Sequence, residues 1–462
     1  MKYIEIFLAE FSAFAWGTHL LVLLLGGGLF FMIYSRFLPF RYLGHAIDVL
    51  RGKYDDPNEP GDISHFEALS SALAATVGMG NIGGVAVAIT MGGPGALFWM
   101  WVSAFVGMAT KFFTCSLAIM YRGKDSAGKI QGGPMYVIEE GLGKKWKPLA
   151  VFFAIAGLFG PLPVFQANQL TQIFRDVVLI PNGVIQQESW QVNLICGFVI
   201  AAIVSIVIFG GIKRIASVAS KMVPAMVVIY VLSVLYIIFT NMGKVPETFS
   251  MIFSDAFTGE AVMGGSLGAV IVIGARRAAF SNEAGIGTAP LAHGAAKTNE
   301  PIREGLVAML GPAIDTIIVC TMTALAILIT DVWRTTDADG VTLTVNAFNQ
   351  ALPTNDLGGY LLVISVLTFS LSSLFTLSYY GTKCFSYLVG AKRAEYFNYF
   401  YVFSIILGSV ASISAVINLV DGMYGLMAIP NMIAALLLAP RVRTAALDYF
   451  KRMKEPRPKK VV

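Results

Sequence analysis

The stretch Ala74-Ala75-Thr76-Val77-Gly78-Met79-Gly80-Asn81-Ile82-Gly83-Gly84 places a hydroxyl and an amide among glycines, in the middle of a segment long and apolar enough to cross a bilayer. In hydrocarbon an unpartnered backbone N–H or C=O is costly, so unwound chain is tolerated there only where it is buried in protein or lines a cavity. The chemistry such a break offers is recognition of ions and zwitterions. A first half-helix that ends near residue 77 leaves carbonyls from Ala74 to Val77 unsatisfied at its negative pole, which suits Na⁺. A second half beginning near Asn81 offers free N–H groups at its positive pole, which suits a carboxylate, and Asn81 can cap it. An amino acid and a cation could share this break. Thr76, Met79, Gly80 and Asn81 are the candidate substrate contacts, and Ala74 and Val77 the candidate ion ligands.

Two blander readings compete. Gly80 and Gly84 are spaced for close helix packing, since small residues let helix backbones approach in membranes. The polar company of Thr76 and Asn81 argues for a cavity instead, because an amide in mid-membrane needs a partner or water. Residues 78–83 also spell G-x-G-x-x-G, the dinucleotide fingerprint, but an alanine-rich helical run precedes it rather than a strand. The region where a ribose-binding acid belongs reads Phe98-Trp99-Met100-Trp101-Val102-Ser103.

A second interrupted stretch runs from Ile273-Gly274 through Phe280-Ser281-Asn282-Glu283-Ala284-Gly285-Ile286-Gly287. Ile273 and Gly274 are its candidate substrate contacts, with Met79, Phe165 and Ile273 as walls that admit only small side chains. Paired interrupted helices at corresponding positions are the best sequence pointer to a transporter built from inverted repeats. Two acids fall inside apolar spans and are therefore functional candidates. Glu283 is placed either to carry a proton or to pair with Arg276 or Arg277, and Asp315 to shape an ion site or sense protons.

The elements that must position these residues are membrane helices. Of 462 residues, 56% are hydrophobic and 13% are charged, with a mean hydropathy of +0.70, whereas soluble domains carry about 25% charged residues. Runs near spanning length place about eleven helices, over 16–34, 66–90, 95–121, 148–173, 191–209, 222–240, 262–291, 303–330, 359–388, 395–417 and 422–439. The chain is expected to be an all-α membrane protein. Residues 1–62 would form an extra N-terminal helix and linker, 63–240 and 241–440 two five-helix repeats, and 441–462 a basic tail. An odd repeat length inverts the second set.

Lys and Arg crowd into alternate loops, among them Arg36, Arg51, Arg122, Lys147, Lys213, Lys297 and Arg393, and into the tail, whereas the opposite side carries only Lys2, Arg175, Lys244 and Arg334. That bias puts the N-terminus outside and the C-terminus in the cytoplasm. The start lacks a basic n-region and a cleavage site, so the first helix is read as retained. Cys115, Cys196, Cys320 and Cys384 lie in apolar spans without metal or redox spacing. The four histidines are scattered, and no nucleophile, base and orienting group come together, so the chain is not read as an enzyme.

Gly92-Gly93-Pro94-Gly95-Ala96-Leu97-Phe98-Trp99-Met100-Trp101-Val102-Ser103-Ala104-Phe105-Val106-Gly107 closely resembles the signature of the alanine or glycine:cation symporter family. Phe280-Ser281-Asn282-Glu283-Ala284-Gly285 and Gly132-Gly133-Pro134-Met135-Tyr136 resemble its other recurrent blocks, and the match spreads over nearly the whole chain. The resemblance implies a leucine-transporter-like 5+5 inverted repeat of the amino acid/polyamine/organocation superfamily, importing alanine or glycine with Na⁺. It also implies that Gln166, in Gln166-Ala167-Asn168, contacts substrate, and that Phe369, Ser372 and Ser373 complete a sodium site beside the first break. The expected partners are a small amino acid, Na⁺ and membrane lipid, with no nucleic acid, for a monomeric protein in the inner membrane. The rivals are a proton-coupled transporter of the same fold and a passive channel.

Overall fold

Long apolar runs can satisfy their own backbone in hydrocarbon only as helices, and that constraint shapes almost every element. The computed structural model describes residues 2–258, 267–336, 338, 340–352, 355–411 and 413–454. In chain order the main helices are α1 (Glu5–Tyr34), α2 (Leu43–Leu50), α3 (His65–Thr76), α4 (Gly80–Gly92), α5 (Gly95–Met120), α6 (Lys144–Leu179) and α7 (Trp190–Ile208). They continue as α8 (Gly211–Thr240), α9 (Val245–Thr258), α10 (Leu267–Asn282), α11 (Thr288–His293), α12 (Pro301–Thr330), α13 (Gly340–Ala351), α14 (Asn355–Val389), α15 (Tyr396–Val410) and α16 (Ile413–Lys454). A two-stranded hairpin pairs residues 123–124 with 130–131.

Among the described residues, eight helices are long and apolar enough to cross a membrane, or nine if the bent pair α3 and α4 counts as one span. About eleven were expected from the sequence. The shortfall lies at α10, of 16 residues, and α15, of 15 residues. The spans expected over 262–291 and 395–417 reach into residues 259–266 and 412, outside the described residues, as does the end of the basic tail, 455–462.

Burial separates the middle of the bundle from its lipid-facing wall. In α5, 89% of the most apolar window is buried, against 28% in α8, so α5 is an axial helix and α8 a peripheral one. α5 packs against α10 and α12, α1 against α16, and α14 against α3, α6 and α8. The two breaks therefore lie within a packed interior.

One end of the bundle is sealed by backbone pairing. The Asp62 N–H donates to Ala295 C=O at 2.8 Å and the Lys297 N–H to Ile63 C=O at 2.7 Å. The Arg122 guanidinium donates to the carbonyls of Pro60, Gly294, Ala296 and Thr298. The buried carboxylate of Glu304 joins His65 and His293 through their Nδ1 atoms. Lys383 Nζ ties α14 to the same end by donating to Gly132 C=O at 2.8 Å and Leu291 C=O at 3.2 Å. At the opposite end a vestibule of about 740 Å³ opens between α4, α6, α10, α13 and α16.

Candidate functional site

α3 starts with a capping box, in which the Ser64 hydroxyl accepts from the Glu67 N–H and the Glu67 carboxylate accepts from the Ser64 N–H. It stops at Thr76, after which Val77 takes an extended conformation (ψ 93°), and the chain resumes as a helix at Gly80, bent by 57°. Its last carbonyls turn to α14. Ser372 Oγ lies 3.3 Å from Ala74 O and 2.9 Å from Phe369 O, and Ser373 Oγ lies 3.3 Å from Ala75 O and 3.1 Å from Phe369 O. Each hydroxyl has one proton and two lone pairs, so this corner gathers five oxygens and keeps lone pairs for a hard cation. Val77 is fully buried, and Ala75 rather than Val77 supplies the second carbonyl that reaches a serine.

Asn81 differs from expectation. It is 0% exposed and every polar atom of its side chain is used inside the protein. Its Oδ1 accepts from the Gly78 N–H at 2.8 Å, and its Nδ2 donates to Asp315 Oδ1 at 2.7 Å, Asp315 O at 3.1 Å and Ser281 Oγ at 3.1 Å. Asp315 Oδ2 accepts from Ser281 and Thr316, both at 2.8 Å. Asp315 of α12 thus ties the first broken helix to α10, and Asn81 caps the break without contacting the cavity. That partner could not be named from sequence, because 234 residues separate it from Asn81.

The second break also falls elsewhere than expected. α10 runs unbroken through Ile273 and Gly274 to Asn282, and the chain turns at Glu283, Gly285 and Gly287, whose φ values are 53°, 91° and 106°. A Cβ on Gly274 would stand 2.5 Å from Ala96 O and 2.7 Å from Trp99 Cβ, so its bare backbone serves the close crossing of α10 over α5. Ile273 packs on Gly92 in the same contact. Neither is on the lining of the inner cavity or of the vestibule, and both pack helix on helix.

Between the two breaks lies an inner cavity of about 30 Å³, lined by Thr76, Met79, Gly80 and Gln166 as expected from the sequence, and also by Phe165, Phe280, Glu283, Ser373 and Tyr424. Met79, Gly80, Phe165 and Phe280 also line the vestibule, so the two spaces adjoin. Thr76 Oγ1, Gln166 Oε1 and Glu283 Oε2 are buried without a hydrogen-bond partner. Buried polar atoms are rarely left so, and three on one small cavity mark it as a ligand site. Asn168, two residues beyond Gln166, instead donates to Gly408 and Ala411 carbonyls, a helix-to-helix role.

Sequence reading missed Tyr424 and Phe280 because both are ordinary apolar residues of their helices until the fold turns them inward. Glu283 was expected either to carry a proton or to pair with Arg276 or Arg277. Those arginines line the vestibule beside Asp421, and the charged neighbours of Glu283 are Lys111 and Asp315.

The sodium:alanine symporter family matches residues 1–462. The chain is 43% identical over 433 residues to the sodium/alanine symporter AgcS of Methanococcus maripaludis, covering 93% of each. It is 40% identical to an uncharacterised transporter of Haemophilus influenzae, over 98% of this chain and 97% of that one. A probable sodium/glutamine symporter of Bacillus subtilis is 36% identical, over 95% and 89%. A crystal structure of MhsT in complex with L-phenylalanine shares the fold with a TM-score of 0.60 at 12% identity, covering 84% of this chain and 99% of that one. The bundle therefore has a leucine-transporter-like fold, and the chain, a multi-pass membrane transporter and not an enzyme, belongs to the sodium:alanine symporter family.

Proposed function

We propose that the protein imports small neutral amino acids, alanine and glycine, together with Na⁺, by alternating access. The observation that carries this reading is the first break itself. Its terminal carbonyls meet the Ser372 and Ser373 hydroxyls on one side, while its next residues, Thr76, Met79 and Gly80, face a cavity that adjoins a vestibule. Na⁺ sits at the oxygen-rich corner formed by Ala74, Ala75, Phe369, Ser372 and Ser373. The substrate carboxylate turns toward the first N–H groups of α4, where the helix dipole favours negative charge.

Residues 63–240 and 241–440 form two inverted five-helix halves, each led by one break. The sealed end carries Lys53, Arg122, Lys297 and Arg452 near its contacts, which the positive-inside bias makes cytoplasmic. The vestibule then opens outward, with the N-terminus outside and the C-terminus inside the cell, and the protein works as a monomer. Met79, Phe165 and Phe280 crowd the cavity, which supports a small substrate. The closed far end supports alternating access over a continuous channel.

Purified protein in proteoliposomes tests this. An inward Na⁺ gradient without a pH gradient should concentrate alanine and glycine above their outside level. Accumulation driven by a proton gradient alone would assign the proton-coupled reading, and mere equilibration under both would assign a channel.

A further inference from the structure

Glu283 occupies a position that the proposed transport cycle has not yet used. It follows directly on α10 with φ 53°, a left-handed conformation that costs a non-glycine residue on the order of 1–2 kcal/mol, and strain of this kind persists where the fold holds a side chain in a required place. The residue is 6% exposed, yet it lines the inner cavity and its Oε2 has no hydrogen-bond partner. Thr76 and Gln166 on the same lining have unpartnered oxygens as well. Unlike the Thr76 hydroxyl and the Gln166 amide, which can donate as well as accept, the ionised Glu283 carboxylate can only accept, so a ligand that satisfies its Oε2 must bring an N–H group of its own.

The buried charges point the same way. Asp315 accepts hydrogen bonds from Asn81, Ser281 and Thr316 side chains, which is the arrangement of an ionised carboxylate. Lys111 is 1% exposed, and its electrostatic neighbours include Glu283 and Asp315. Two carboxylates around one ammonium leave the interior one positive charge short, and an uncompensated buried charge is costly. Arg276 and Arg277 do not fill the deficit, since they line the vestibule near Asp421.

We propose that Glu283 binds the α-ammonium group of the transported amino acid, its Oε2 accepting a charge-assisted hydrogen bond inside the inner cavity. This rests on the amino-acid symport reading and adds the residue that recognises the amine. The two ends of the zwitterion are then divided between the two breaks, with the carboxylate on the start of α4 and the ammonium on the turn after α10. The requirement is for a free protonated amine: N-acetylalanine and propionate should not compete.

Binding of radiolabelled alanine to purified protein at saturating Na⁺ tests the assignment, alongside ²²Na⁺ binding without amino acid. Glu283→Gln should weaken alanine binding by about tenfold to a hundredfold, the usual range for a hydrogen bond to a charged group, while the Na⁺ concentration for half-saturation stays within about twofold. Glu283→Asp, which retracts the charge by one methylene, should fall between Gln and wild type, and it carries the test if the Gln variant does not fold. Wild-type alanine affinity in a folded variant of either kind would overturn the proposal. So would loss of Na⁺ binding in the absence of alanine, which would make Glu283 a sodium ligand. Wild-type uptake measured in parallel separates the readings: no sodium-driven alanine uptake by the wild type sinks the transport function, whereas normal uptake with an indifferent Glu283→Gln sinks only the amine assignment.

Discussion

At the first break Asn81 bonds the Gly78 N–H on its own stretch of chain and Asp315 and Ser281 across the bundle, and at the second Asn282 accepts from the Ala284 N–H and donates to Thr316 across the bundle, but the second also turns through Glu283, Gly285 and Gly287 at positive φ, which the first does not. Each break spends an asparagine on structure; the first presents the Thr76 hydroxyl and the chain at Met79 and Gly80 to the cavity, the second the carboxylate of Glu283. A residue conspicuous in sequence can therefore be the support of a site rather than its contact surface, as Asn81 is. The two breaks are also not independent, because Ser281 stands two residues before Glu283 and donates to the same Asp315 that holds Asn81.

Three substitutions sharpen this contrast, in decreasing order of effect. Asn81→Leu removes the side chain that satisfies Asp315 Oδ1 and the Gly78 N–H, leaving a buried carboxylate short of a donor at a cost of about 3–5 kcal/mol. Uptake should vanish, and the thermal stability of detergent-solubilised protein should fall, in protein that still inserts; stable, inserted protein with normal uptake would show that the Asp315 network does not hold the break. Gly287→Ala places a side chain at φ 106° with its Cβ 2.6 Å from Phe153 Cε2. The strain of about 1–3 kcal/mol should lower alanine uptake by roughly tenfold to a hundredfold, with Na⁺ binding less affected because the serine corner lies on the first break. An equal loss of Na⁺ affinity would mean that the breaks share one site.

The smallest effect is expected from Ser372→Ala combined with Ser373→Ala. Both hydroxyls lie beside the end of α3 and bond its carbonyls. The double variant should raise the Na⁺ concentration for half-maximal uptake about tenfold, equivalent to about 1.4 kcal/mol, with alanine affinity at saturating Na⁺ nearly unchanged. Weakened alanine binding with unaltered Na⁺ dependence would move the ion elsewhere.

Much of the architecture was legible because it depends on local composition. Apolar length identifies membrane helices, glycine clusters identify interruptions, and Thr76, Met79, Gly80 and Gln166 were expected on the substrate side and line the inner cavity. Ser372 and Ser373 were expected beside Ala74, and their hydroxyls lie there. Ile273 and Gly274 were misplaced for a physical reason: in membranes a glycine in a helix serves close packing as readily as unwinding, and the choice depends on what crosses the helix there, which is α5. Helix counting fell short where α10 and α15 border residues outside the described ones.

Hydropathy, glycine content and charge act locally along the chain, so membrane helices, glycine-rich stretches and clusters of basic residues can be read directly from the order of residues. The tertiary structure decided which polar groups bond one another and which stay open to a ligand. Asn81 and Asp315 are 234 residues apart, and Glu283 has Lys111 and Asp315 as electrostatic neighbours, because a buried polar group is assigned its surroundings by the packing of helices distant in sequence. The unpaired oxygens on the inner cavity, those of Thr76, Gln166 and Glu283, are defined only by that packing.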